Sequence, residues 1–211
     1  MAQSDRERWD ANYRAGSHHE HQPSAVLVGL LPYFAAPGRA LDIGGGLGRH
    51  AIWLAEQGWK VTLVDVSEVG LAIARERSAN RSVILDFVER DLETEPLPGA
   101  NWDLLLCFHF LHRPIVQSAR RYLAPGGRLV VVQPTITNLE RNARPPSRFL
   151  LQPGELHALI TDLHLLHYQE AWTSEDRHEA ILVAERSTAE DHYRGGRSIF
   201  TAESTESAEI F

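Results

Sequence analysis

The run from Arg39 to Gly58, Arg-Ala-Leu-Asp-Ile-Gly-Gly-Gly-Leu-Gly-Arg-His-Ala-Ile-Trp-Leu-Ala-Glu-Gln-Gly, constrains the fold more than any other stretch of the chain. An apolar segment, Ala40 to Ile43, enters a glycine cluster at Gly44, Gly45, Gly46 and Gly48. Beyond it Ala51, Leu54 and Ala55 fall on one helical face, with Gly58 placed to end that helix. The order is strand, tight turn, helix. Glycine suits such a turn because the backbone needs positive φ there and must approach a ligand with no Cβ in the way. The helix N-terminus behind the turn offers unpaired N–H groups to the same ligand.

Two registers of this turn are possible. The dinucleotide fingerprint G-x-G-x-x-G/A starts directly after the strand. Counted from Gly44, Arg49 stands where the third glycine belongs; counted from Gly46, the set Gly46, Gly48, Ala51 fits the Ala variant. Asp42, two residues ahead of the turn, tips the balance, because an acid aimed at a pyrophosphate would be repelled. The series Asp42, Gly44, Gly46, Gly48 resembles the D-x-G-x-G-x-G motif of class I S-adenosylmethionine-dependent methyltransferases. That resemblance implies a loop wrapped around the methionine end of S-adenosyl-L-methionine, with S-adenosyl-L-homocysteine as the product. An NAD(P)-dependent oxidoreductase remains the alternative on the second register. It is weakened because Lys60 is the only lysine and Glu56 stands four positions before it, so no Tyr-x-x-x-Lys pair exists.

The rest of the chain reads as a continuation of the same α/β pattern. Lys60 to Val66 is a second buried strand rich in β-branched residues, with Asp65 at its end. An acid about 20 residues past the glycines is placed for ribose hydroxyls; the structural alternative is a helix cap, a task that suits Ser67 better. A helix follows to about Asn80, then a third strand, Ile84 to Glu89. Trp102 to Phe110 carries the unbroken apolar run Leu104 to Phe108 of a strand covered on both faces. Its end delivers His109, Phe110 and His112 to the edge where such sheets bind ligands. Pro114 opens a helix closed by Tyr122 to Gly127, and Arg128 to Gln133 is the fifth strand. Pro153 to Asp162 reads as a helix with Leu156, Leu159 and Ile160 inward, and His164 to Glu170 with Glu179 to Glu185 as a closing antiparallel pair.

A wider resemblance joins these elements. Trp9-Asp10-x-x-Tyr13, Gly45 to Ala51, Leu111-His-Arg-Pro114 and Arg148 to Leu156 are similar to the small bacterial tellurite-resistance-type methyltransferases, over roughly residues 9–186. The family implies a Rossmann-like seven-stranded, mostly parallel sheet of order 3-2-1-4-5-7-6, last strand antiparallel, with helices on both faces. It implies a cofactor set of Asp42, Gly44, Gly46, Gly48, Asp65, Val66, Asp91, Leu92 and Phe108, with Asp91 toward the adenine amino group. Gly45 departs from relatives, which commonly carry cysteine or another small residue there. The family's acceptors run from metalloid oxyanions to small thiols, so the acceptor class stays open among thiol, oxyanion and hydroxyl.

On this basis residues 1–37 form a helical lid segment, 38–186 the cofactor-binding domain and 187–211 a polar tail. A hydroxyl acceptor needs a base, and His109, His112 or the turn histidines His18, His19 and His21 are candidates; Tyr13 lies on the lid at the substrate side. Arg49 and Arg113 are placed to hold an oxyanion, whereas Arg177 and His178 read as a solvated turn in preference to a pair facing the substrate pocket, the place that the tellurite-type resemblance implies for them. The turn His18-His19-Glu20-His21 reads as a solvated loop rather than a metal site, since three histidines in four residues do not converge on one ion. With a net charge of −7 and no basic stripe, nucleic acid is excluded as the main partner, leaving a small-molecule substrate. Cys107 is the only cysteine, and neither a signal peptide nor a spanning apolar run is evident, which points to the cytoplasm and away from a membrane. A non-catalytic protein that binds S-adenosylmethionine shares every one of these features.

Overall fold

A computed structural model describes residues 2–16 and 20–188. Seven strands form one sheet: β1 (Arg39–Ile43), β2 (Lys60–Asp65), β3 (Leu85–Glu89), β4 (Trp102–Phe108), β5 (Leu123–Pro134), β6 (His164–Trp172) and β7 (His178–Glu185). Their order is β3-β2-β1-β4-β5-β7-β6, and β7 alone runs antiparallel to both its neighbours. This is the expected Rossmann-like sheet. The helices are α1 (Ala2–Arg14), α2 (Ala25–Gly29), α3 (Arg49–Glu56), α4 (Glu68–Asn80), α5 (Arg113–Ser118) and α6 (Glu155–Leu159).

Each face of the sheet has its own apolar layer. One gathers Leu54, Leu63, Leu71, Leu104, Leu106 and Val130 under α2, α3 and α4; the other gathers Leu41, Ile43, Leu105, Leu129, Leu182 and Leu156 under α5 and α6. Alternate residues of β4 feed opposite layers, which is why its sequence is apolar without interruption. Ser67 caps α4 by accepting from the Gly70 N–H at 3.0 Å. It also donates to Asp10 at 2.5 Å, and with the Arg6–Glu89 ion pair this anchors α1 across the start of α4 and the end of β3.

Several boundaries differ from the sequence reading. Strand β5 begins at Leu123 rather than Arg128, because the chain at Gly126 (φ +76°) bulges and still exchanges hydrogen bonds with Arg186. Helix α5 stops at Ser118 and gives way to a single 3₁₀ turn, Ala119–Arg121. Helix α6 spans only Glu155–Leu159 because Ile160 is already extended. Strand β4 ends at Phe108, since His109 adopts φ +58°. The predicted tail, 187–211, falls outside the described residues beyond Thr188, as do His18 and His19 of the turn. Among the described residues no helix is long and apolar enough to cross a membrane, and no cluster of metal-ligating side chains occurs.

Candidate active site

A cavity of about 690 Å³ opens at the C-terminal ends of β1, β2, β4 and β5. Its floor is the glycine turn. Gly44 and Gly45 donate to the Val64 carbonyl at 2.8 and 3.3 Å, Gly46 donates to Asp65 Oδ2 at 2.9 Å, and Gly48 donates to the Gly45 carbonyl at 3.0 Å. The turn is therefore stitched to the end of β2, and these four N–H groups are spent inside the protein rather than offered to a pyrophosphate. A Cβ at Gly46 would lie 2.6 Å from the Tyr13 hydroxyl, and the backbone there has φ +55°. Gly46→Ala should cost about 1–2 kcal/mol of stability from left-handed strain alone, read by chemical denaturation, and weaken adenosyl ligands by shifting Tyr13.

Two acids flank this floor. Asp42 is buried, and its Oδ2 has no hydrogen-bond partner among the described residues. Burial, then the neighbouring Asp65 charge, pushes its carboxyl up to about 7, against the opposing pull of the Ala51 N–H and Arg49. A Cβ at Gly45 would meet that Oδ2 at 2.6 Å, so glycine at this departure from the family pattern gives the acid its space. Asp65 is also buried and raised by desolvation, opposed by its hydrogen bonds from the Ser67 and Gly46 N–H groups at 2.9 Å each.

The remaining cofactor candidates converge on the same cavity. Val66, Asp91, Leu92 and Phe108 all line it. Asp91 is held in place by accepting from the Glu93 N–H at 3.0 Å and the Thr94 hydroxyl at 2.9 Å. Gly48 is the exception: it does not line the cavity but packs against Leu63 and Ala74 at the start of α3. Tyr13 lies over the turn with its ring stacked on Trp9, and burial raises its phenol far above the ordinary range.

The histidines take different tasks. His112 spends Nδ1 accepting the Ile115 N–H at 3.2 Å, which caps α5, and desolvation lowers its pKa. His109 lines the cavity, its ring 4.5 Å from that of Phe108 and its Nε2 2.6 Å from Glu179 Oε1. His50, whose ring lies 4.3 Å from that of Phe108, is held well below its usual value, chiefly by burial. Two arginine expectations are corrected. Arg113 does not reach the cavity, because Glu155 holds its guanidinium through both carboxylate oxygens. Arg177 is not in a solvated turn: it lines the cavity beside Glu175, 3.3 Å away, while His178 hydrogen-bonds Thr135 at 2.7 Å. Glu179 and Gln133 were missed. The only signal for Glu179 was an acid opening the otherwise apolar strand Ala180 to Ala184.

Residues 40–127 match the profile of a family described as "Methyltransferase domain". A ubiquinone/menaquinone biosynthesis C-methyltransferase from Methylobacterium nodulans is 32% identical over 128 residues, 56% of this chain and 51% of that protein. This stretch matches a methyltransferase domain, and the sheet that carries it has the strand order of the class I S-adenosylmethionine-dependent methyltransferase fold. The 27-O-demethylrifamycin SV methyltransferase of Amycolatopsis mediterranei is 30% identical over 163 residues, covering 69% of this chain and 57% of that protein. The chain thus spans about half the length of the curated relatives it matches. Among solved structures, TehB from Haemophilus influenzae shares the methyltransferase fold with a TM-score of 0.66 at 20% identity, over 83% of this chain and 66% of that one. The cofactor of this domain class is S-adenosylmethionine, and the site suits it: an unsatisfied buried acid for the amino end, and a floor that a Cβ would fill.

Proposed function

We propose that this domain transfers the methyl group of S-adenosylmethionine to a small-molecule acceptor in the reducing cytoplasm. The observation that carries the reading is the unpartnered Asp42 oxygen beneath a glycine turn whose own N–H groups are spent. Such a floor accepts an ammonium and has little for a pyrophosphate, which counts against the oxidoreductase alternative. Asp42 and the turn at Gly44 and Gly46 would hold the amino acid end, Asp65 and Val66 the ribose, and Asp91, Leu92 and Phe108 the adenine side. The bound sulfonium supplies a methyl group that is already activated.

The protein then has to align the acceptor and exclude water, effects worth up to about 7–11 kcal/mol in favourable cases. Helix α1, with Trp9 and Tyr13, roofs the cavity and keeps water out. His109 is the proton acceptor best placed when the nucleophile is protonated, because His112 already uses its Nδ1 lone pair to accept from Ile115, which puts the proton of its neutral ring on Nε2.

Thermal unfolding tests the cofactor. A ligand at 100 times its dissociation constant adds about 2.7 kcal/mol, which raises the midpoint of a domain this size by about 5–11 °C. That shift is expected with S-adenosylhomocysteine and not with NADH, and it should be lost in Asp65→Ala. A shift with NADH alone would reverse the assignment. Transfer of labelled methyl to any acceptor separates the enzyme from a non-catalytic binder.

A further inference from the structure

His109 leaves β4 in the left-handed region, at φ +58°, a conformation uncommon for a residue with a side chain. Its N–H still donates to the Val132 carbonyl at 2.9 Å, so the ladder is kept and the turn serves to re-aim the ring. The ring lies in the cavity wall with Nε2 2.6 Å from Glu179 Oε1, and Nδ1 makes no hydrogen bond among the described residues. Glu179 sits on β7 with no solvent exposure, and its Oε2 has no partner among the described residues. A buried carboxylate with one unpaired oxygen is a cost to the fold. Arg49 and His50 of α3 pack around Phe108 beside the pair, Gln133 of β5 presents an unpaired Oε1, and Arg177 precedes β7.

We propose that Glu179 is a positioning residue for His109, and that the acceptor is a small molecule whose reacting oxygen carries a proton, a phenol or an alcohol. This rests on the methyltransferase reading. The carboxylate accepts a hydrogen bond from Nε2–H, which fixes the tautomer and leaves the Nδ1 lone pair free to act as the base. An oxyanion or a thiolate needs no base and leaves the His109–Glu179 pair without a task, whereas a neutral hydroxyl profits from it, because Glu179 stabilises the imidazolium that forms. As the hydroxyl oxygen bonds to the methyl carbon, the carbon–sulfur bond breaks with its electron pair left on sulfur, and the hydroxyl proton passes to Nδ1 and then to solvent.

Histidine nitrogen spectra of the S-adenosylhomocysteine complex test the pairing without any acceptor. The wild-type protein should show His109 protonated at Nε2 and bare at Nδ1, and Glu179→Gln should give a mixture of tautomers at unchanged S-adenosylhomocysteine affinity. Protonation at Nδ1 in the wild type, or a tautomer unmoved by the substitution, overturns the proposal. With labelled S-adenosylmethionine and a set of phenols, alcohols, thiols and selenite, transfer is expected to O–H acceptors, with kcat lowered about 10²-fold or more in Glu179→Gln at unchanged KM. Transfer confined to thiols or selenite, or none to any O–H acceptor, overturns the acceptor class. Failure of S-adenosylhomocysteine to bind the wild-type protein strikes the methyltransferase reading instead.

Discussion

Asp42→Asn should make the ligand-free protein more stable and cost it its cofactor. The folded protein holds this carboxyl at about 7 against an ordinary value of 3.8, because burial and Asp65 disfavour the charge. Below the unfolded value both states are protonated and nothing is lost. Between the two values the folded state keeps a proton that the unfolded state releases, so stability falls as pH rises. Above the folded value the penalty is complete, at about 1.36 kcal/mol per unit, or roughly 4 kcal/mol. Denaturation at pH 8 should therefore find Asp42→Asn more stable by about 2–4 kcal/mol, with the difference closing near pH 4. Binding moves the other way. Asparagine leaves the ammonium without its counter-charge in a buried place, and affinity for S-adenosylhomocysteine should drop by about 10²–10³-fold. The acid is kept at a cost in stability because it works only when the ligand is present.

The second large effect falls on turnover. His109→Ala removes the cavity-lining imidazole that the buried Glu179 carboxylate orients, and kcat for a hydroxyl acceptor should fall by about 10²–10⁴-fold. S-adenosylhomocysteine affinity should hold, since the ring lies outside the glycine turn and its two flanking acids. Because alanine tolerates the left-handed backbone poorly, His109→Asn is the companion variant; asparagine visits that region readily and lacks the base. Equal losses in both variants, with binding unchanged by calorimetry, assign the effect to the imidazole. Unchanged kcat on a hydroxyl acceptor would remove His109 from the mechanism.

What the sequence showed and what it hid follow one division. Signals local to a strand–turn–helix unit were legible: the glycine turn, Asp42, Asp65 at the end of β2, the Ser67 cap and the unbroken apolar run of β4. The seven-stranded order followed from family resemblance, and the sheet has it. Features decided across the sheet were not legible. Glu179 meets His109 only because β7 inserts beside β5, bringing together residues 70 positions apart. Arg113 left the site through its partner Glu155, 42 positions on, and Arg177 entered it because the β6–β7 hairpin folds toward the α2 end, where Glu175 accepts from Ser24 and Ala25. The start of β5 was misplaced for a related reason: a Pro-Gly-Gly stretch ordinarily signals a turn, and here it forms a bulge that stays paired.

Calorimetric titration of the protein with S-adenosylhomocysteine, in buffers of different ionisation enthalpy, tests the central claim most directly. If Asp42 receives the amino end, binding must ionise it. The account predicts saturable one-to-one binding that releases roughly nine-tenths of a proton at pH 6 and about a tenth at pH 8, with the release abolished in Asp42→Asn. Saturable binding of NADH with no heat from S-adenosylhomocysteine would contradict it.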